Sequence, residues 1–249
     1  MDISIIIPAL DEASKIGRDV EEAAKFLVER GFSGEIIVVD DGSSDETTEI
    51  VRRTRVPPGI RVEAIRLDRN SGKGFAVRAG ILKSAGDLVI YADSGTCIPF
   101  YDALSSIERV RAGRLDMGLA SRRLKETVIC RNRPWKRRVL SWAFHQAAVV
   151  VAGLPRRITD SQCGFKLYRG NMARELFSGL ETGGFLFEIE IILKAQARGY
   201  VLEEFPVTWT CDLDTRLRPG SEALPVVMEL FAVKRRVRDY MDRGCRSAP

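Results

Sequence analysis

Four short runs rich in β-branched residues, at 3–7, 35–39, 61–67 and 87–92, alternate with stretches of helical periodicity at 12–30, 45–55 and 73–85. The strand-like runs are largely continuous in apolar residues, and strands of that kind must be covered on both faces. Helices between successive strands supply the covers, so the chain is expected to fold as an α/β domain around a mostly parallel sheet. Ligands of such sheets lie in the crevice beyond the carboxyl ends of the strands. The unusual residues of this sequence fall at those ends.

The first run leads into Pro8-Ala9-Leu10-Asp11-Glu12 and the second into Asp40-Asp41-Gly42-Ser43-Ser44-Asp45. Aspartate is a poor strand residue, and burying two in a row is costly without partners. A turn with a helix cap accounts for Ser44 and Asp45. It accounts less well for Asp40 and Asp41, for which a binding role is expected. After the third run, Asn70-Ser71-Gly72-Lys73-Gly74 opens a helix. Glycines and a lysine at a helix start suit a diphosphate, although a plain helix-entry turn has an equal claim. The spacing is not that of a Walker A loop. The fourth run ends in Tyr91-Ala92-Asp93-Ser94-Gly95-Thr96. A carboxylate there suits Mg²⁺ or Mn²⁺, hard cations that also recruit substrate phosphates. The plainer reading is an aspartate that starts a turn.

Further along, helices are expected at 134–153 and 185–198, a loop at 154–166 and a strand at 201–209. An amphipathic helix with a basic end is expected at 222–240. Residues 1–220 then form one domain, with halves at 1–120 and 121–220. Residues 221–249 form a basic helical tail, fit to dock on the domain or on a second copy. The net charge of +5 favours an anionic partner. Five cations fall within residues 131–138, with Trp135 the one aromatic among them. Nucleic-acid binding would interleave more aromatics, so no nucleic-acid partner is expected. A solvated basic face competes there with a phosphate clamp.

Five cysteines at wide spacing and a single histidine exclude a zinc finger or a disulfide framework. Reduced thiols and a cytoplasmic setting follow. The longest apolar stretch, 143–154, is too short to span a bilayer, so the chain reads as soluble or peripheral on a membrane. His145 reads as a satisfied core or interface histidine, and Cys163 as a small packed residue.

Taken in order, several segments resemble family 2 glycosyltransferases of the GT-A fold. They are Ile5-Ile6-Ile7-Pro8-Ala9, the Asp40 to Asp45 segment, NSGKGFAVRAG at 70–80, Ala120-Ser121-Arg122, DSQCGFKL at 160–167, Phe187-Glu188-Ile189-Glu190 and 209–219. The Gly-Lys-Gly and Gln-Cys-Gly-Phe-Lys pieces narrow the likeness to polyprenyl-phosphate hexosyltransferases of the glucosyl type, with the mannosyl type more distant. The resemblance implies inverting transfer of a hexose from a nucleotide-sugar, UDP-glucose first and GDP-mannose second, to a polyprenyl or dolichyl phosphate.

By the same resemblance, Pro8, Ala9, Asp11, Glu12 and Asp40 surround the base and ribose, with Asp41 and Lys73 near the diphosphate. Asp93, beside Ser94, matches the second carboxylate of an Asp-x-Asp motif that binds Mg²⁺ or Mn²⁺, and Tyr91 stands where the first belongs. Arg122, Arg131 and Arg133 are the expected contacts of the acceptor phosphate. Arg216 and Arg218 reach toward the diphosphate or the acceptor phosphate. On the acceptor loop, Asp160 orients the nucleophile, accepts a residual proton or pairs with Lys166, and Gln162 lines the site. Of Glu188 and Glu190, only one faces the sugar if the segment is helical. Lys234, Arg235, Arg236 and Arg238 suit an anionic membrane surface. The alternatives are a soluble acceptor, whose hydroxyl would need a true base, or a nucleotide-binding relative without turnover.

Overall fold

A computed structural model of the chain describes residues 1–130, 135–210 and 223–246. The first half follows the expected alternation: β1 (Ile3–Ala9), α1 (Ile16–Glu29), β2 (Gly34–Asp40), α2 (Thr47–Arg53), β3 (Arg61–Arg66), α3 (Lys73–Lys83) and β4 (Leu88–Ala92). A short 3-10 turn, Phe100–Ala103, leads into α4 (Leu104–Arg111) and β5 (Met117–Ser121). The two-residue strand β6 (Val128–Ile129) precedes α5 (Trp135–Ala147), which continues as a π-helical stretch through Ala152. Then come β7 (Phe165–Arg169), α6 (Gly170–Ser178), α7 (Phe187–Ala197), β8 (Leu202–Pro206), β9 (Thr208–Trp209) and α8 (Ala223–Arg246).

Seven strands form one sheet in the order β3-β2-β1-β4-β7-β5-β8, and β6 pairs with β9 apart from it. All neighbours in the large sheet are parallel except β7, which runs antiparallel between β4 and β5. Side chains alternate between two cores. Ile5 and Ile7 join Phe26, Phe100 and Phe165 on one face. Ile6 and Tyr91 join Val77, Phe177 and Phe187 on the other.

Two readings of the sequence need correction, and one strand was not anticipated. Residues 165 and 166, expected to end a loop, belong to β7, where Phe165 and Leu167 face one core and Tyr168 the other. Lys166 lies on the Tyr168 face and breaks the apolar pattern that would have marked the strand. The small, polar run Met117–Ser121 is β5, a strand without a propensity signal. The strand expected at 201–209 is two strands separated at Val207, after Pro206, which has no N–H to donate to a ladder. Helix α8 buries Leu230 and Val233 against the body of the domain.

Candidate active site

The carboxyl ends of β1, β2 and β4 lie side by side, and the loops that leave them are tied together. Asp11 has a positive φ of 44°, and its carboxylate accepts hydrogen bonds from the Ser44 N–H at 2.6 Å and the Ser44 hydroxyl at 3.0 Å. The Glu12 N–H donates to the Thr47 hydroxyl at 2.8 Å and the Ala13 N–H to Asp45 at 3.1 Å. Pro8 and Ala9 are buried at the end of β1. The two loops thus form one wall.

Asp40 and Asp41 both carry hydrogen bonds that hold the loops around them. Both are buried. Asp40 accepts the Ser43 N–H at 2.7 Å and the Thr48 hydroxyl. Asp41 accepts the Ser71 and Gly72 N–H groups at 2.7 and 2.9 Å, one on each oxygen. These bonds compensate the cost of burying adjacent carboxylates. They also change the reading of the Gly-Lys-Gly loop. Two of its N–H groups face Asp41, and the Gly74 N–H donates to the Gly183 carbonyl at 2.7 Å. The glycines allow this closeness, since a Cβ on Gly72 would lie 2.5 Å from the Gly183 oxygen. The loop therefore offers an anion its Lys73 side chain more than a backbone cradle.

The Lys73 ammonium lies 2.8 and 2.9 Å from the two Asp93 oxygens. It sits over the rings of Tyr91 and Phe185 at 5.7 and 5.6 Å, within cation–π range. The Tyr91 hydroxyl donates to Asp93 at 2.5 Å, and the Asp93 N–H donates to the Gly164 carbonyl at 2.7 Å. Gly164 leaves room for the carboxylate: a Cβ there would fall 1.9 Å from an Asp93 oxygen. Burial works against the Lys73 charge, but Asp93, with Glu188 behind it, raises its pKa above the usual lysine value. Burial pushes the Tyr91 phenol far up, so it stays a neutral donor. Ser94 is half-buried on the following turn, whose Gly95 N–H and Thr96 hydroxyl bind the buried Asp19 at 2.8 and 2.5 Å.

Position 91 lies inside β4 with no exposure, packed against Phe187. A carboxylate there would be sealed in the core, so the register expected for the Asp-x-Asp motif does not suit this strand. Asp93 is the first residue beyond the strand, and two residues further on stands Gly95, with a φ of 97°. Among the described residues no three His, Cys, Asp or Glu side chains gather as a metal site. Each Asp93 oxygen already faces a donor. A divalent cation can be held by one carboxylate together with substrate phosphates, but the one carboxylate here is engaged on both oxygens by Lys73 and Tyr91, and that arrangement does not fit a cation unless Lys73 moves away.

Across the β7–β5 side, Arg122 and Asp160 form a bidentate pair, Nε to Oδ2 at 2.6 Å and a terminal nitrogen to Oδ1 at 2.7 Å. The Arg122 N–H adds a third bond to Asp160 at 3.0 Å, and its guanidinium donates to the Gln162 carbonyl at 3.0 Å. Burial opposes ionisation of Asp160, yet the Arg122 charge and hydrogen bonds bring its pKa down to about 2. Asp160 thus pairs with Arg122, not Lys166, and is a poor proton acceptor. Arg122 is correspondingly occupied, where the sequence suggested a contact for the acceptor phosphate. Gln162 is better placed for a ligand: its side-chain Nε2 is buried with no hydrogen-bond partner.

Lys166 and Glu188 form a buried pair at 2.8 Å, with the Lys166 ammonium also donating to the Cys163 carbonyl at 2.6 Å. They support the site from beneath. Burial raises the Glu188 pKa against the pull of Lys166 and Lys73. Glu190, on another face of α7, pairs with Lys194 at 2.5 Å and accepts the Thr182 N–H at 2.9 Å. It fixes the loop beside Gly183. Cys163 is buried and its thiol is pushed up to about 12 by that burial, in keeping with a packed residue. His145 is buried, but its Nδ1 has no hydrogen-bond partner, so it is not the satisfied histidine expected. Arg131, Arg133, Arg216 and Arg218 lie outside the described residues.

Three contributors escaped the sequence reading. Asp19 holds the turn after Asp93, and its signal was a carboxylate on the apolar side of α1, among Ile16, Val20 and Ala23. Glu204 accepts the Thr159 and Asp160 N–H groups at 2.9 and 2.7 Å and so positions the acceptor loop. Phe185 is an exposed ring beside Lys73.

Comparison with known proteins gives a consistent result. The pattern described as glycosyl transferase family 2 matches residues 4–177. The dolichyl-phosphate β-glucosyltransferase of Dictyostelium discoideum is 31% identical over 242 residues, 93% of this chain and 73% of its own length. The human enzyme of that name is 29% identical, over 94% of this chain and 75% of its own. Among solved structures, glucosyl-3-phosphoglycerate synthase from Mycobacterium tuberculosis with Mn²⁺, UDP-glucose and phosphoglyceric acid superposes with a TM-score of 0.64 at 20% identity. That match covers 95% of this chain and 80% of the synthase. It shows the GT-A fold, and in that neighbour a divalent metal accompanies the nucleotide sugar.

Proposed function

The chain belongs to glycosyl transferase family 2 and is a glycosyltransferase, and from that premise we propose that it moves glucose from UDP-glucose to a dolichyl or polyprenyl phosphate. The relatives' names support the donor and acceptor class. The observation that carries the acceptor is the state of Asp160. A hydroxyl nucleophile needs a base, and the carboxylate on the acceptor loop is locked to Arg122 with its pKa at about 2. A phosphate monoester arrives already ionised, with a second pKa of about 6, and needs none.

In the proposed reaction one phosphate oxygen of the acceptor bonds to the anomeric carbon. The bond from that carbon to the β-phosphate oxygen breaks, and its electron pair leaves on UDP. No proton has to move. A single displacement inverts the centre, so the α-linked donor gives a β-linked lipid phosphate. The wall formed by the β1 and β2 loops takes the nucleoside, Lys73 meets the diphosphate, and the unpartnered Gln162 amide donates to the sugar or the acceptor. The expected cations Arg131, Arg133, Arg216 and Arg218 would add to the charge balance.

Contact with an anionic membrane is part of the same reading. Among the described residues no helix is long and apolar enough to cross a bilayer. Val139 and Trp142 on α5 and Met228 and Phe231 on α8 are exposed apolar side chains one helical turn apart. Lys234, Arg235 and Arg238 are exposed further along α8, whereas Arg236 turns inward to the Thr182 hydroxyl at 2.8 Å. Apolar side chains with flanking cations suit an anionic lipid surface.

The test is incubation with radiolabelled UDP-glucose or GDP-mannose and detergent-dispersed dolichyl phosphate, with 3-phosphoglycerate as a soluble competitor. Label from UDP-glucose in an organic-extractable product is the expected result. Label only in a water-soluble product would assign a hydroxyl acceptor instead. His145, with its Nδ1 unpartnered and its pKa lowered by burial and by Arg123, would then be the base to replace.

A further inference from the structure

GT-A neighbours hold Mn²⁺ with the nucleotide sugar, yet here an ammonium already sits on both oxygens of the one carboxylate at the site. We infer that the Lys73 ammonium, seated on Asp93, is the built-in cation of this enzyme and stands in for the divalent metal at the donor diphosphate. The inference rests on the proposed nucleotide-sugar reading and goes beyond it in naming what neutralises the leaving group.

Four features of the site support it. First, Lys73 touches both Asp93 oxygens at 2.8 and 2.9 Å, while Tyr91 donates to one of them at 2.5 Å. A metal could reach Asp93 only by displacing an ammonium held there, against like-charge repulsion. Second, Lys73 is fixed by its surroundings. It is the first residue of α3, anchored through Gly72 to Asp41 and through Gly74 to Gly183, and flanked by the Tyr91 and Phe185 rings. Third, the charges at this point of the site balance. A divalent ion on two carboxylates leaves no net charge, and neither does one ammonium on one carboxylate. Fourth, 38% of the Asp93 side chain and 23% of the Lys73 side chain remain exposed, so a diphosphate can approach the pair. The backbone N–H groups nearby face Asp41 and Gly183, which leaves the lysine as the donor that points outward.

In the transfer step Lys73 stays protonated throughout. As the bond to the anomeric carbon breaks, the growing charge on the β-phosphate oxygen is met by an ammonium already in place, without reorganisation. Tyr91 and Asp93 are then positioning residues that aim the lysine.

The experiment is calorimetric titration of UDP, UMP and GDP into the intact protein with EDTA or with Mn²⁺, for the wild type, Lys73→Met and Lys73→Arg. The wild type should bind UDP with affinities that agree within about twofold in EDTA and Mn²⁺. Lys73→Met should weaken UDP binding by about ten- to a hundredfold, the worth of one charge-assisted hydrogen bond. Its affinity for UMP, which lacks the β-phosphate, should change little, showing that the nucleoside wall is intact. Lys73→Arg should recover most of the loss. Wild-type binding of UDP that tightens more than about tenfold with Mn²⁺, or Lys73→Met binding UDP as well as the wild type, overturns the inference. Wild-type protein that binds neither UDP nor GDP under either condition removes the nucleotide-sugar reading itself, and this inference with it.

Discussion

Replacing Asp160 by asparagine separates a structural ion pair from a catalytic base. Asp160 is buried and Arg122 is largely covered, with side-chain exposures of 4% and 14%. Asp160 has an ordinary value of 3.8 and sits at about 2 in the folded chain. A carboxylate whose folded pKa is lowered stabilises the fold above the unfolded value, and that stability is lost as pH falls through the folded one. The shift corresponds to about 2 kcal/mol, present above roughly pH 4 and gone below roughly pH 2. Asparagine also strands Arg122, since its amide N–H groups face guanidinium N–H groups where the carboxylate accepted two bonds. Breaking a buried pair from one side costs about 3–5 kcal/mol in total. For a chain of this length that lowers the melting temperature by on the order of 10 °C. The assay is thermal unfolding at pH 7 together with a pH–rate profile measured well below the variant's transition. We expect the lower melting point, a loss in kcat/KM of less than about a hundredfold, and a profile of unchanged shape. An unchanged melting point would refute the energetic argument. A loss near ten-thousandfold, with the acid limb of the profile gone in folded protein, would make Asp160 the base and refute the phosphate acceptor.

Two further outcomes are expected. Gly164→Ala should leave the chain folded but disturb Asp93, because the new Cβ would lie 1.9 Å from a carboxylate oxygen; UDP binding by calorimetry should fall with the melting point little changed, and unaltered binding would show that Asp93 does not aim Lys73. Trp142→Ser with Phe231→Ser should reduce sedimentation with vesicles containing phosphatidylserine by about tenfold or more, given the apolar area removed, while turnover with a short-chain, water-soluble acceptor phosphate stays unchanged; equal sedimentation would remove the membrane contact.

The first half of the fold was legible because its signals are local. Continuous apolar runs such as Ile36 to Val39 and the helical periodicity of α1 each require cover on a defined side, and the alternation then dictates a parallel sheet. The middle of the sheet was not legible. Strand β5, Met-Gly-Leu-Ala-Ser, has no β-branched residue at all, and β7 carries Lys166 where an apolar residue would mark a strand. Both owe their place to neighbours contributed from elsewhere in the chain. The site divides in the same way. Asp93 and Lys73 could be picked out by position at strand and helix ends. That Asp40 and Asp41 fasten loops, and that Asp160 grips Arg122, depends on partners up to 38 residues away, which no local pattern encodes.

Those partners also explain why the carboxyl edge of the sheet can carry so much charge. Lys73 with Asp93, Lys166 with Glu188 and Arg122 with Asp160 are three ion pairs across neighbouring elements. Each is neutral, so the layer can be buried without net charge, and the deeper two hold the loops that shape the shallow one. The shallow pair differs from the others in being partly open, so an anion can exchange for one of its contacts. A diphosphate that arrives at this edge meets a cation whose counter-charge is already fixed behind it. It need exchange only one contact of a pair that is otherwise held in place, and that is the condition under which an ammonium can do what a metal ion does in related folds.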